Sequence, residues 1–223
     1  TMKIIALITI PASFFAFFCS EEIVSIIYKR HNFDGESVRL TVLAFNCHIV
    51  GLFFIALNRV IAPAFYAMHD SDSPTIAGIA SFFVNIVCAI LLVPYFFGGG
   101  IASALTISSF VNTIFLFFFL SRKHAINIKY IIINMISFSL KITCFSFIAS
   151  LPIIVFLKTL EKLFILDCSI NTISAFIMSL VLAFFVFAFI GLVLLIITKD
   201  EILSLFANKV DRIIKKKENS IIR

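Results

Sequence analysis

A few side chains are costly where the sequence puts them. Arg59, Asn85, Asn112 and Lys141 interrupt long apolar stretches, and Arg30 belongs to a short basic group with Lys29. A guanidinium within a hydrocarbon layer costs at least ~2.5–3.5 kcal/mol on insertion scales unless it meets water or a partner. Arg59 is therefore expected to face a polar cavity, where its forked donors suit an anionic oxygen group. The competing expectation is snorkelling, but Arg59 lies ten residues before His69, ~15 Å of helix, and a long side chain covers only part of that distance. Asn85 and Asn112 carry amides that need partners in an apolar setting. Interhelical hydrogen bonds are the usual solution, with ligand contact the second reading. Lys141 is expected to snorkel near the start of a helix. Lys29, Arg30 and Arg39 lie among Glu21, Glu22, Asp34 and Glu36, so they either receive an anionic group or pair with those carboxylates.

Other chemistries lack their signatures. Cys19, Cys47, Cys88, Cys144 and Cys168 form no CxxC pair, and most fall in apolar runs, where cysteine acts as a small hydrophobe. Neither a disulfide framework nor a metal site is expected, and His48 is a lone core histidine. No P-loop, nucleophile elbow, HExxH or intramembrane carboxylate pair occurs, so no enzyme and no cofactor is expected.

Composition sets what must position these residues. Hydrophobic residues make up 61% of 223, charged residues 13%, and there are 29 Phe and no Trp; mean hydropathy is +1.14. An ordinary globular chain is about half apolar and about a quarter charged, and one core of this size cannot hide such an excess. Lipid must be the solvent for much of the chain. A spanning helix needs roughly 20 apolar residues. The 49 positions from 73 to 121 carry no charge, too many for one span and right for two, with Gly98-Gly99-Gly100 as the natural break. The same reasoning gives an all-α bundle of six transmembrane helices at about 4–27, 40–66, 74–97, 101–121, 137–157 and 170–197, with 126–136 as an interfacial segment. Ser73-Pro74 reads as an N-cap followed by proline at the first helical position. Pro11, Pro63, Pro94 and Pro152 lie within or near spans, where proline kinks helices.

Six spans put eleven basic residues on one side: Lys3, Arg122, Lys123, Lys129, Lys199, Lys209, Arg212, Lys215, Lys216, Lys217 and Arg223. Lys29, Arg30, Arg39, Lys158 and Lys162 fall on the other. Basic residues collect in cytoplasmic loops, so both termini are expected in the cytoplasm. The net charge of +6 thus has a membrane explanation, and no nucleic-acid partner is expected. The run after Lys3 lacks a small-x-small cleavage site and reads as a retained span rather than a signal peptide. Residues 199–223 begin with a capping-box spacing at Thr198–Glu201 and place Ile202, Phe206, Val210 and Ile213 at helical intervals among basic residues. They are expected to form a basic amphipathic helix on the cytoplasmic membrane surface.

The stretch from Gly51 to Leu120 carries Arg59, then Pro63-Ala64-Phe65-Tyr66-Ala67, Asp70, Ser73-Pro74, Asn85, Gly100 and Asn112. In order and spacing it resembles the C-terminal half of the MurJ/MviN family of lipid II flippases, within the multidrug/oligosaccharidyl-lipid/polysaccharide exporter superfamily. Lys29-Arg30-His31-Asn32-Phe33 looks like that family's Arg-Gly-x-Phe loop, with His31 in place of Gly, and Ser73 replaces the Thr of its Thr-Pro turn. The resemblance is good over about residues 5–125 and rests on helix spacing beyond 130. It implies that 1–125 supplies four spans of a C-terminal lobe and 126–198 two additional helices, spans nine to fourteen of fourteen. It further implies alternating-access flipping of lipid II in the bacterial inner membrane, with Arg59, Asn85, Asn112 and Arg30 as substrate-binding candidates. The tail of the lipid would follow the last two helices, and an N-terminal lobe would come from another polypeptide. A non-transporting membrane remnant or scaffold, or a fragment of a related polysaccharide or multidrug exporter, are the other readings.

Overall fold

A computed structural model describes residues 2–28, 34–124, 128–167 and 172–197. Every element in it is helical: α1 Met2–Phe18, α2 Ser20–Tyr28, α3 Gly35–Ala67, α4 Asp72–Phe96, α5 Gly98–His124, α6 Ile128–Asp167 and α7 Thr172–Ile197. Among the described residues five helices are long and apolar enough to cross a membrane, and a sixth crossing results if α1 and α2 count as one span. Those two are bent by 72° at Cys19, where a single span over 4–27 was expected. The sequence explains the break, because Ser20-Glu21-Glu22 places acidic residues in the first turn of α2, where a helix N-terminus favours them.

Two other boundaries differ from expectation. The turn between α4 and α5 is centred on Phe97, at φ 50° and ψ −126°, and the three glycines form the first turn of α5 instead of the break. Close packing accounts for this, since a Cβ on Gly100 would lie 2.6 Å from the backbone of Leu92 and Val93. Residues 128–167 form one continuous helix, so the segment expected at the interface and the span expected from 137 belong to a single rod. At 40 residues its length of ~60 Å exceeds the ~30 Å hydrocarbon thickness about twofold.

Packing divides the helices into two sets. In one, α3 and α4 flank α5, and Leu57, Ile61, Phe65, Ala77, Leu116 and Leu120 form its buried core. In the other, Cys19, Ala149, Ile153, Ala183 and Phe187 join the α1–α2 break to α6 and α7. Ala6 and Ile10 of α1 meet Phe138 and Ile142 of α6, and Phe53 of α3 packs against both this cluster and the α3–α5 core.

Candidate functional site

The α3–α5 seam fixes the orientation of the residues around Arg59. Gly51 faces Thr106 so closely that a Cβ there would lie 2.9 Å from the Thr106 Cα, and the Thr106 hydroxyl donates to the Cys47 carbonyl at 2.7 Å. Seven residues past Gly51 on α3, Asn58 meets the residue seven past Thr106 on α5, Thr113, and its amide donates to the Ser109 carbonyl at 2.9 Å. The Thr113 hydroxyl donates to Asn58 Oδ1 at 2.8 Å and lies 2.9 Å from the Ser109 carbonyl. Contacts that advance together along both chains make α3 and α5 parallel, with a heptad interval along one face.

With Leu57, Ile61 and Phe65 buried toward α5, the face carrying Arg59, Pro63 and Tyr66 is exposed. No described residue forms an ion pair or hydrogen bond with Arg59. The amides sort differently from the sequence expectation. Asn58 makes the interhelical bonds, whereas Asn85 on α4 is half-buried with no hydrogen bond among the described residues. Asn112, also half-buried, has its Oδ1 shielded from solvent and without a partner. The reason is register: Thr113, one position on, occupies the seam, and a step of one residue turns Asn112 by about 100° around the helix. Asn58 lay within the recognised motif, but an amide beside a charged residue gave no separate signal.

Lys141 lies thirteen residues inside α6, ~20 Å from its start, and its Nζ is 5.7 Å from the centroid of the Phe145 ring. The helix therefore starts well before Lys141, and the membrane depth of Lys141 follows from no contact in the fold. Arg39 pairs with Glu36 through two bonds of 2.7 and 3.0 Å, which favours mutual pairing for that member of the basic group. Arg30, Lys29 and the 199–223 tail lie outside the described residues.

A polar latch joins the other end of the α3–α4–α5 set. The chain leaves α3 through a reverse turn in which the Asp70 amide donates to the Phe65 carbonyl and the His69 amide to that of Tyr66, with His69 at φ 56°. This pairing is the Schellman arrangement of helix ends. Asp70 then accepts from the Ser73 backbone at 3.1 Å, the Ser73 hydroxyl at 2.6 Å and Lys123 Nζ at 3.3 Å. Ser73 is thus a donor inside the first turn of α4 and not its N-cap; Asp70 does the capping. Hydrogen bonds from Ser73, first from its hydroxyl, hold the Asp70 carboxyl below the usual carboxylate range against the opposing effect of burial, and Lys123 adds to the lowering.

Two apolar grooves open on the second set of helices. One of about 510 Å³ is lined by α1, α6 and α7, including Pro11, Phe15, Phe145, Phe184, Phe187 and Gly191. The other, about 430 Å³, lies between α1, α3 and α6 and includes Ser13, Phe53, Ser139 and Thr143. Among the described residues no group of three or more His, Cys, Asp or Glu is arranged to hold a metal ion.

Comparison with known proteins adds an independent line. The family described as lipid II flippase MurJ matches residues 1–174. The chain is 46% identical over 151 residues to a probable lipid II flippase MurJ of Treponema pallidum, covering 68% of this chain and 29% of that protein. A second relative of the same description, from Aquifex aeolicus, is 31% identical over 84 residues, 38% of this chain and 17% of its own length. Among solved structures, a lipid II flippase MurJ in an inward closed conformation matches with a TM-score of 0.65 at 20% identity, over 89% of this chain and 38% of that one. The chain therefore spans less than a third of the length of the curated relatives and shares the fold of the corresponding part. With a family match over more than half of its residues and a helical membrane architecture to go with it, the chain belongs to the MurJ lipid II flippase family.

Proposed function

We propose that the chain acts as the C-terminal part of a lipid II flippase of the bacterial inner membrane, working by alternating access together with an N-terminal lobe. In this reading Arg59 faces the cavity between the lobes and binds the pyrophosphate of the headgroup, with Asn85 and Asn112 as further contacts and Arg30 at the outer mouth. The observation that carries it is Arg59 itself, exposed on α3 with no described partner, in a helix long and apolar enough to cross a membrane. An intramembrane cation so placed is a functional group by default. The polyprenyl tail stays in lipid along the groove between α1, α6 and α7, where aromatic and aliphatic side chains supply most of the wall. The basic count puts both termini in the cytoplasm, so the Asp70–Lys123 end faces inward. Since two bundles must rock against each other, one lobe does not transport.

Complementation of flippase-depleted cells tests this. The chain with an N-terminal lobe should restore growth and the chain alone should not; rescue by the chain alone refutes the half-transporter reading. In the rescued pair, Arg59→Ala should abolish or severely impair growth at unchanged protein level. Arg59→Lys should recover only part, because a point charge lacks the forked donors. Undiminished rescue by Arg59→Ala removes its proposed role.

A further inference from the structure

The turn between α4 and α5 presents three consecutive aromatic side chains outward: Tyr95 is 78% exposed, Phe96 45% and Phe97 64%. Phe97 holds φ 50° and ψ −126°, a region strained for any residue but glycine. Glycine would adopt it freely, and three glycines follow immediately. The turn cannot relax by sliding, because Gly100 is pressed on the Leu92–Val93 backbone and donates its amide to the Phe97 carbonyl at 3.0 Å. Packing at Gly100 thus holds Phe97 in this conformation with its ring turned outward and little buried by the chain, so what surrounds the ring lies outside the chain.

Length and charge say what that is. The opposite end of α4 carries the chain's charged groups Asp70, paired with Lys123, and Asp72 in the first turn, which a polar layer favours. From there the 25 residues of α4 rise ~37 Å, a few ångströms beyond the ~30 Å hydrocarbon and within the ~40–45 Å that includes headgroups. A usual tilt shortens this only slightly. No charged residue lies between Asp72 and Arg122, so nothing draws the tip into bulk water, and tyrosine is the amphipathic ring that headgroup layers favour. We propose that the α4–α5 tip is an interfacial anchor, with Tyr95, Phe96 and Phe97 lodged in the phospholipid headgroup layer of the leaflet opposite the Asp70–Lys123 end. It rests on the membrane placement of α4 and α5 and is independent of what the cavity binds.

The chain contains no Trp, so a single introduced indole reports its own surroundings. The 223-residue chain carrying Phe97→Trp is reconstituted in phosphatidylethanolamine–phosphatidylglycerol vesicles. Some vesicles carry lipids brominated near the headgroup end of the acyl chain, others near the methyl end. The expected result is blue-shifted emission, stronger quenching by the headgroup-end bromine than by the methyl-end bromine, and little quenching by aqueous iodide. Iodide quenching without bromolipid quenching overturns the proposal in favour of a tip in water. Quenching by neither overturns it in favour of a tip covered by protein, and stronger methyl-end quenching overturns it in favour of deep burial. Should Phe97→Trp fail to fold, Tyr95→Trp makes the same measurement at the more exposed position. Phe83→Trp, halfway along α4 and 61% exposed, is the reference. If methyl-end bromine leaves it unquenched, the membrane placement fails and takes the anchor with it; if it is quenched as expected, a negative tip overturns the anchor alone.

Discussion

The α3–α4–α5 set and the α1–α6–α7 set are built from similarly apolar helices but held together by different means. Along the α3–α5 seam, backbones approach at a small residue and polar side chains bond across the gap, Gly51 against Thr106 and Asn58 with Thr113 and Ser109. In the α1–α6–α7 set, Phe rings meet edge-on or tilted, Phe15 with Phe184 and Phe187 at 5.6 Å, and a groove of about 510 Å³ remains open between the helices. Lipid tails are as apolar as these rings, so burial alone gives helices little reason to associate in a membrane, and packing and hydrogen bonds decide. The difference implies a rigid unit beside an adaptable wall. Under the proposed function, this pairing suits a lobe that moves as one body next to a groove taking the lipid tail.

The largest expected effect lies at Gly51. A leucine there must displace the Thr106 backbone as well as its side chain, and no flexible end can give way. Overpacking of this kind costs typically 1–3 kcal/mol and sometimes more. Thermal unfolding in detergent of Gly51→Leu should show a large loss of stability or failure to purify as a monodisperse species. Unchanged melting would mean that the seam is not the rigid element.

Next in size is the amide clamp. Asn58→Ala and Thr113→Val each remove part of it, and a double-mutant cycle should return a coupling of roughly 0.6 kcal/mol, the average for interhelical hydrogen bonds in membranes, and at most about 1.7. Additive losses would place the two residues outside one network.

Much of this arrangement was legible in the sequence, and the part that was not has a common cause. Crossing a bilayer imposes length and excludes charge, so the empty stretch from 73 to 121 announced two helices, and the folded chain has α4 and α5 there. The same solvent hides which face packs. In water an apolar stripe points to the core, but here both faces are apolar, and Phe82, Phe83, Ile90 and Leu91 of α4 are all exposed. Periodicity therefore could not distinguish Asn58, which bonds across the seam, from Asn85 and Asn112, which do not. The start of α5 lies three residues earlier than expected, at Gly98 and not 101, because the glycines serve close approach to α4 and not chain reversal. At Cys19 the signal was present, since Glu21 and Glu22 announce a helix start, but an uncharged run followed by more apolar residues read as one span. Arg59 stands out in the sequence because charge in lipid needs a reason whatever the helix does, and the fold leaves it exposed on α3.

A smaller effect is expected at the latch, and it depends on pH. The folded-state pKa of Asp70 is lowered, so its contribution is complete above the ordinary carboxylate pKa, about 3.9 in model peptides. It fades as pH falls through the lower folded value. Between pH 5 and 8 the latch should thus contribute a constant amount. On acidification, wild-type melting should fall toward that of Asp70→Asn, and the two curves should draw together below pH 4. A difference that persisted undiminished into strong acid would mean that the carboxylate charge is not what holds Ser73 and Lys123.

At Gly191 the comparison predicts almost nothing, which makes it the sharpest contrast with Gly51. Gly191 lines the open groove, and a Cβ there meets no atom within 4 Å. Alanine adds a methyl group to empty space and removes the backbone freedom that makes glycine poor in helices, a gain of roughly 0.5–1 kcal/mol in water. Gly191→Ala should therefore melt with, or slightly above, the wild type in detergent, while Gly51→Ala, one methyl group at the other seam, melts clearly below it. Equal losses at the two glycines would mean that the α6–α7 wall is as tightly seated as the α3–α5 seam, and the division into a rigid unit and an adaptable wall would fail.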